Sequence, residues 1–114
     1  MSDLTTTALQ MSLRGLATRQ RAIADNVANA ETPGFTAKRV DFESSLRTAM
    51  AQHSPQSTKI SEESSKDPVN ANGNNVSLEA ETLDLTDTNL RYQLSIEALN
   101  AKYRLLRTVI RGNG

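Results

Sequence analysis

The single histidine, His53, is the first residue to weigh for chemistry, because imidazole titrates near neutral pH and ligates metals. No cysteine and no second histidine stands elsewhere in the chain, so no His/Cys metal set is available. His53 lies beside a polar stretch and reads as an exposed loop histidine. Paired carboxylates could serve general acid–base catalysis. Glu62-Glu63 fall in that same polar stretch and read as a solvated charge run. Glu79 and Glu81 stand two apart in a helical pattern, share no face, and read as first-turn acids. The basic cluster from Lys102 to Arg111 has Tyr103 as its only aromatic, and a charge bias at a helix C-terminus accounts for it. No glycine-rich phosphate loop follows a strand. With no nucleophile, base and orienting partner at recognisable spacing, the sequence reads as non-enzymatic, with no metal and no cofactor.

Composition narrows the classes further. The 114 residues carry 13 Lys+Arg against 13 Asp+Glu, with 37% hydrophobic residues and no Trp. One domain at most fits this length. Leu, Ile, Val and Phe make 24 of the 114 residues, so a large self-contained core is not expected. A zero net charge excludes a general nucleic-acid binder, which needs a basic excess to displace counterions. No apolar run reaches the length of a membrane span. Met1-Ser2-Asp3 opens no basic-then-apolar segment, so no ordinary secretory signal is expected.

Two periodic segments must supply the framework. In 1–30, Leu9, Leu13, Leu16, Ile23, Val27 and Ala30 form one helical stripe at coiled-coil spacing, with Gln20 at the vacant heptad position. The pattern predicts a helix over about 5–29, with Thr5–Thr7 offering its N-cap. Gly15 inside it costs about 1 kcal/mol against Ala, unless close packing needs a small residue. In 76–114, Leu85, Tyr92, Ile96, Leu99, Tyr103, Leu106 and Ile110 repeat the spacing, with Asn89 at the vacant position. A neighbouring stripe of Leu83, Leu90, Leu94, Ala98, Ala101 and Leu105 widens the apolar face. One helix is predicted over about 77–111, acidic at its start and basic at its end as the helix dipole favours, with Gly112 at C′. The fold class is thus all-α: two long terminal helices pairing as an antiparallel coiled coil. Apolar surface left over after one pairing predicts oligomerisation.

The connection, 31–51, begins with a turn. Pro33 presets φ and Gly34 supplies φ > 0, as a type II turn requires. Asn29 or Ala30 ends the first helix, with Asn tolerating the left-handed conformation. Residues 35–41 are expected to be extended, and Phe42, Leu46 and Met50 predict a short helix with Asp41 as N-cap. Residues 52–75 hold five Ser, four Asn and two Pro against few apolar residues, and are expected to form a flexible polar loop.

One motif is more specific than any of these features. Asn26, Val27, Ala28, Asn29, Ala30, Thr32, Pro33, Gly34 and Phe35 resemble the signature that flagellar rod and hook proteins carry at the end of their N-terminal helix. Asp25 and Glu31 depart from its commonest residues by small polar changes. Leu13 to Arg21 before the motif, Arg39-Val40-Asp41-Phe42 after it, Gly73 to Glu81, and Leu90-Arg91-Tyr92-Gln93 are similar to FlgB-type rod proteins. The likeness covers about 10–45 and 73–111.

This resemblance implies a structural subunit of the bacterial flagellar basal-body rod, polymerising through its terminal helices. It implies a place at the proximal end of the rod, near the membrane ring and the export gate, and a share in torque transmission. It implies type III export without a cleaved signal peptide to a periplasmic location. The implied partners are the chain itself, other rod proteins, the ring and export-gate junction, and the export apparatus. The packing expected is of Leu9, Leu13, Leu16, Ile23 and Val27 on Tyr92, Ile96, Leu99, Tyr103 and Leu106, within or between subunits, with Ile110 continuing the seam. The competing readings are a cytoplasmic export chaperone or adaptor and a sister proximal rod subunit.

Overall fold

The computed structural model describes residues 3–112. The first two residues of segment 1–30 and the last two of segment 76–114 lie outside the described residues. Six elements follow in chain order: helix α1 (Leu4–Ala28), strand β1 (Lys38–Asp41), helix α2 (Glu43–Ala51), a 3-10 turn (Pro55–Ser57), strand β2 (Ser61–Ser64) and helix α3 (Leu78–Gly112).

The long helices lie side by side and run in opposite directions. Asp3 at the start of α1 meets Lys102, Ser12 meets Ser95, Gln20 meets Asn89, and Asn26 near the end of α1 meets Glu81. Because α3 is ten residues longer than α1 (35 against 25), its last stretch projects past the partner helix. The molecule is accordingly elongated, 67 Å along its longest axis.

The fold departs from the all-α expectation by a two-stranded sheet. β1 and β2 pair antiparallel, with Lys38 opposite Ser64 and Asp41 opposite Ser61. β2 arises from Ser61-Glu62-Glu63-Ser64, inside the segment expected as a loop, and all four of its residues are exposed. The ladder satisfies backbone groups without apolar burial, so hydrophobic patterning could not reveal this strand. Pro55, Asn74 and Asn75 from the same polar segment are buried.

Cap positions also differ from the sequence expectations. Asp3, rather than Thr5–Thr7, caps α1 by accepting a 2.7 Å bond from the Thr6 N–H. Asn29 caps the other end but with φ −110°, outside the left-handed region. Asp41 closes β1, and α2 begins after Phe42 with no side-chain cap. Gly112 belongs to α3 rather than standing beyond it. The small core is Leu16, Ala22, Val40 and Phe42, flanked by Leu46, Ile60 and Tyr92.

Candidate assembly interface

Three asparagines hold the elbow between the two long helices by imitating backbone. The Asn26 side chain is fully buried and reaches β1 as a strand neighbour would. Its Oδ1 accepts from the Lys38 N–H at 2.8 Å, and its Nδ2 donates to the Lys38 carbonyl at 3.0 Å. The same Nδ2 donates to Glu81 Oε1 on α3 at 3.0 Å. Asn74 Nδ2 donates to the carbonyls of Asn29 and Thr32, while its Oδ1 accepts from the Val76 N–H. Asn75 Oδ1 accepts from the Ala37 N–H at 2.7 Å, and its Nδ2 reaches the Asp67 carbonyl at 3.1 Å. An amide carries two donors and an acceptor on a short stem, so it can close backbone gaps that no apolar residue could. A buried peptide group left unpaired would be costly.

The turn within this elbow has the expected geometry. The Phe35 N–H bonds to the Thr32 carbonyl at 3.2 Å, and Gly34 has φ +75°. The Gly34 N–H is itself taken by the Asn72 carbonyl at 2.9 Å.

Glu81 is the group that sequence reasoning missed. It lies two residues from Glu79 in the first turns of α3, yet it is completely buried. Arg39 Nη1 pairs with its Oε1 at 2.8 Å. A buried carboxylate requires such a partner. The only signal in the sequence was Arg39, three residues before Phe42, with no spacing rule to link it to position 81.

A second anchor joins α1 to α2. Arg19 forks onto Glu43 with bonds of 2.6 and 2.7 Å, and its Nη2 also donates to the Val40 carbonyl. The guanidinium lies 5.0 Å over the Phe42 ring. The fork holds the Glu43 carboxyl below its ordinary value and raises Arg19. Phe42 fills the space above Gly15, where a Cβ would meet the ring well under 3.0 Å away. Gly15 therefore meets the close-packing condition set for it.

The seam between α1 and α3 divides the stripe residues. Leu16 and Ile23 are buried, and Leu9, Leu13, Tyr92, Ile96 and Leu99 are half-buried. Val27, Tyr103, Leu106 and Ile110 are exposed in the single subunit. Gln20 and Asn89, the vacant positions of the two stripes, meet each other: Gln20 Nε2 donates to Asn89 Oδ1 at 2.7 Å. Of the motif residues, Asn26 is buried, Asn29, Ala30 and Phe35 are half-buried, and Val27, Ala28, Thr32, Pro33 and Gly34 are exposed.

α3 turns an unusual side inward. Against α1 it buries Glu81 and Thr88 and half-buries Tyr92, Ser95, Ile96 and Leu99, whereas Leu83, Leu90, Leu94 and Leu105 face outward. Leu94 borders an open apolar groove of about 390 Å³ that also involves Leu16, Phe42 and Leu46. The beginning of α1 is fastened to α3 by Asp3 and Lys102 at 2.6 Å. This contact pulls the Asp3 carboxyl down to about 2. Among the described residues no cluster of His, Asp or Glu could hold a metal ion, and no helix is long and apolar enough to cross a membrane. His53 is exposed in the turn that follows α2.

Comparison with known proteins gives a consistent picture. Residues 9–36 match the family model described as "Flagella basal body rod protein". The chain is 30% identical to the flagellar basal body rod protein FlgB of Bacillus subtilis, with 82% of this chain and 83% of that protein covered. It is 30% identical to FlgB of Escherichia coli over 89% of this chain and 88% of that protein. FlgB of Cereibacter sphaeroides is 32% identical, with 83% and 84% covered.

Proposed function

The chain belongs to the FlgB family of flagellar basal body rod proteins, and from that premise we propose that it builds the proximal end of the rod through its two terminal helices. It is a structural subunit and not an enzyme. The observation that carries the assembly role is the outer face of α3, opposite the seam with α1, where Leu83, Leu90, Leu94 and Leu105 stand exposed. Leucines that stand outside the subunit's own buried core form an apolar surface suited to partners. In this reading the helices join as a coiled coil, and Tyr103, Leu106 and Ile110 become buried only between subunits. Contacts of that kind are head-to-tail, and repeated they generate an open helical assembly rather than a closed ring.

The reading further places the subunit near the membrane ring and the export gate, in contact with other rod proteins, where it helps transmit torque. It leaves the cell body through the flagellar type III export apparatus without a cleaved signal peptide and resides in the periplasmic rod. Family membership favours this role over that of a cytoplasmic export chaperone.

Mass spectrometry of purified basal bodies, with the cytoplasmic fraction alongside, tests the reading. The chain is expected in the detergent-resistant rod. Recovery in the cytoplasm alone would refute it and favour the chaperone.

A further inference from the structure

We propose that the projecting tip of α3, residues 103–112, docks along the outer face of the first half of α3 in a second copy of this chain. This deepens the rod-subunit reading and rests on it.

The two surfaces are complementary in shape of pattern and opposite in charge. At 100° per residue, Glu79, Leu83, Asp87, Leu90 and Leu94 fall on one outward stripe. The three leucines of that stripe are 59–66% exposed. Its charges are acidic. The tip carries Leu105 and Val109, 62% and 51% exposed, interleaved with Arg104, Arg107 and Arg111. None of these three arginines, nor Glu79, takes part in an ion pair among the described residues. Asp87 is paired only within its own helix, to Arg91 at 2.9 Å.

Among the described residues, the tip has no companion in its own subunit. The last clamp between the long helices is Asp3 with Lys102, and α3 continues to Gly112 beyond it. Ten residues at 1.5 Å each make a free arm about 15 Å long. An arm of that length covers one to two heptads of a neighbouring helix, enough to seat Leu105 and Val109 between Leu83 and Leu90. The arginines then stand beside the acids, and contacts between such like-patterned faces fix register as well as partner.

Two arrangements satisfy this charge pattern. Copies pointing the same way, displaced along α3 by about 30 Å, leave each subunit with a free start and a free tip, so the series continues. A two-fold pair uses both ends at once and closes. A rod requires the first, and the structure offers the arm and its seat at opposite ends of one helix, as a continuing series needs.

The test uses the full chain. Analytical ultracentrifugation should show concentration-dependent species larger than a dimer. Arg104→Glu with Arg107→Glu should weaken association at least tenfold, and Glu79→Lys with Asp87→Lys should do the same. An equimolar mixture of the two variants should return it to within about threefold of the parent, because each altered end again meets its opposite. Circular dichroism checks that each variant keeps its helices. Should a variant lose them, Leu90→Cys with Val109→Cys replaces it, since the chain has no cysteine of its own. Oxidation of that protein should give a ladder of trimers and larger products. A monomeric parent, reversal defects that mixing does not repair, or crosslinked products that stop at the dimer would each overturn the proposal. Finding the chain in purified rods while the mixture fails would refute this contact alone. Absence from rods would refute the rod reading itself.

Discussion

Gly15→Ala sets two effects of opposite sign against each other. In a solvent-facing helix position the change removes glycine's entropic penalty and stabilises by about 1 kcal/mol. Here the added methyl meets Phe42. That ring is 2% exposed, with the Arg19 guanidinium 5.0 Å from its centroid. A ring so confined cannot tilt without disturbing Arg19, which is itself tied to Glu43 and the Val40 carbonyl. Overpacking of this kind costs about 1–3 kcal/mol, and loss of the cation–π contact adds about 0.5–1 kcal/mol. The packing effect wins, and the net expectation is destabilisation by about 1–2 kcal/mol. In a domain of this size that corresponds to a fall in Tm of about 4–8 °C. Denaturant unfolding followed by circular dichroism gives the value directly. In a Phe42→Leu background the same Gly15→Ala change should cost less, since the flat ring is gone, and the difference between the two backgrounds isolates the contact. A Gly15→Ala protein as stable as the parent, or more stable, would refute the reasoning.

The elbow should be as sensitive as the core. Asn26→Ala removes both bonds to Lys38 and the bond to Glu81, and a loss of about 2–4 kcal/mol is expected from the buried groups left unpaired, read by the same unfolding measurement. Gly34→Val keeps open space around the side chain but forces a β-branched residue to φ +75°, so it should cost about 1–3 kcal/mol and impair assembly in a pelleting assay. Asp3 titrates near 2 in the folded chain against an ordinary 3.8. Its lowered value means that its stabilisation is complete above about 3.8 and is lost as pH falls from there toward 2. Asp3→Asn retains the capping side chain but removes the charge, so it should flatten the acid limb of the stability profile. Leu99→Asp places a charge in the α1–α3 seam and should lower stability by several kcal/mol, whereas Leu90→Asp, on the outer face, should leave the Tm within about 2 °C.

Periodicity made both long helices legible, and Pro33-Gly34 made the turn legible, because each depends on local spacing or local backbone limits. The inward face of α3 was legible only in part. Hydrophobic patterning put Leu85, Tyr92, Ile96, Leu99, Tyr103, Leu106 and Ile110 on the seam with Asn89 at the vacant position; Tyr92, Ile96 and Leu99 are half-buried there and Asn89 meets Gln20, whereas Leu85 is 38% exposed and the residues buried deepest are Glu81 and Thr88. Polar residues thus share the inward face with the apolar stripe, and apolar spacing has no means of finding a contact made by Glu81, Arg39 and Asn26. Strand β2 escaped for the same reason, since Ser61 to Ser64 pair by backbone alone. Asn74 and Asn75 look like loop residues by composition, and only their partners, at Thr32 and Ala37, reveal them as fasteners. The motif itself was readable as a pattern, but its physical content was not: Asn26 is a surrogate strand, while Val27 beside it faces solvent.

The anchoring of α3 is lopsided, and this has a mechanical consequence. Its start is gripped by directional bonds from Asn26 and Arg39 to Glu81, and its far end is a free arm beyond Lys102. Such a helix is a cantilever. A force applied at the tip is carried along a stack of backbone hydrogen bonds and delivered as shear to the elbow, where short polar bonds resist sliding better than interchangeable apolar contacts do. The stiffness of a column of such subunits would then be set less by its leucines, which can slip past one another, than by one buried carboxylate and the two side chains that hold it.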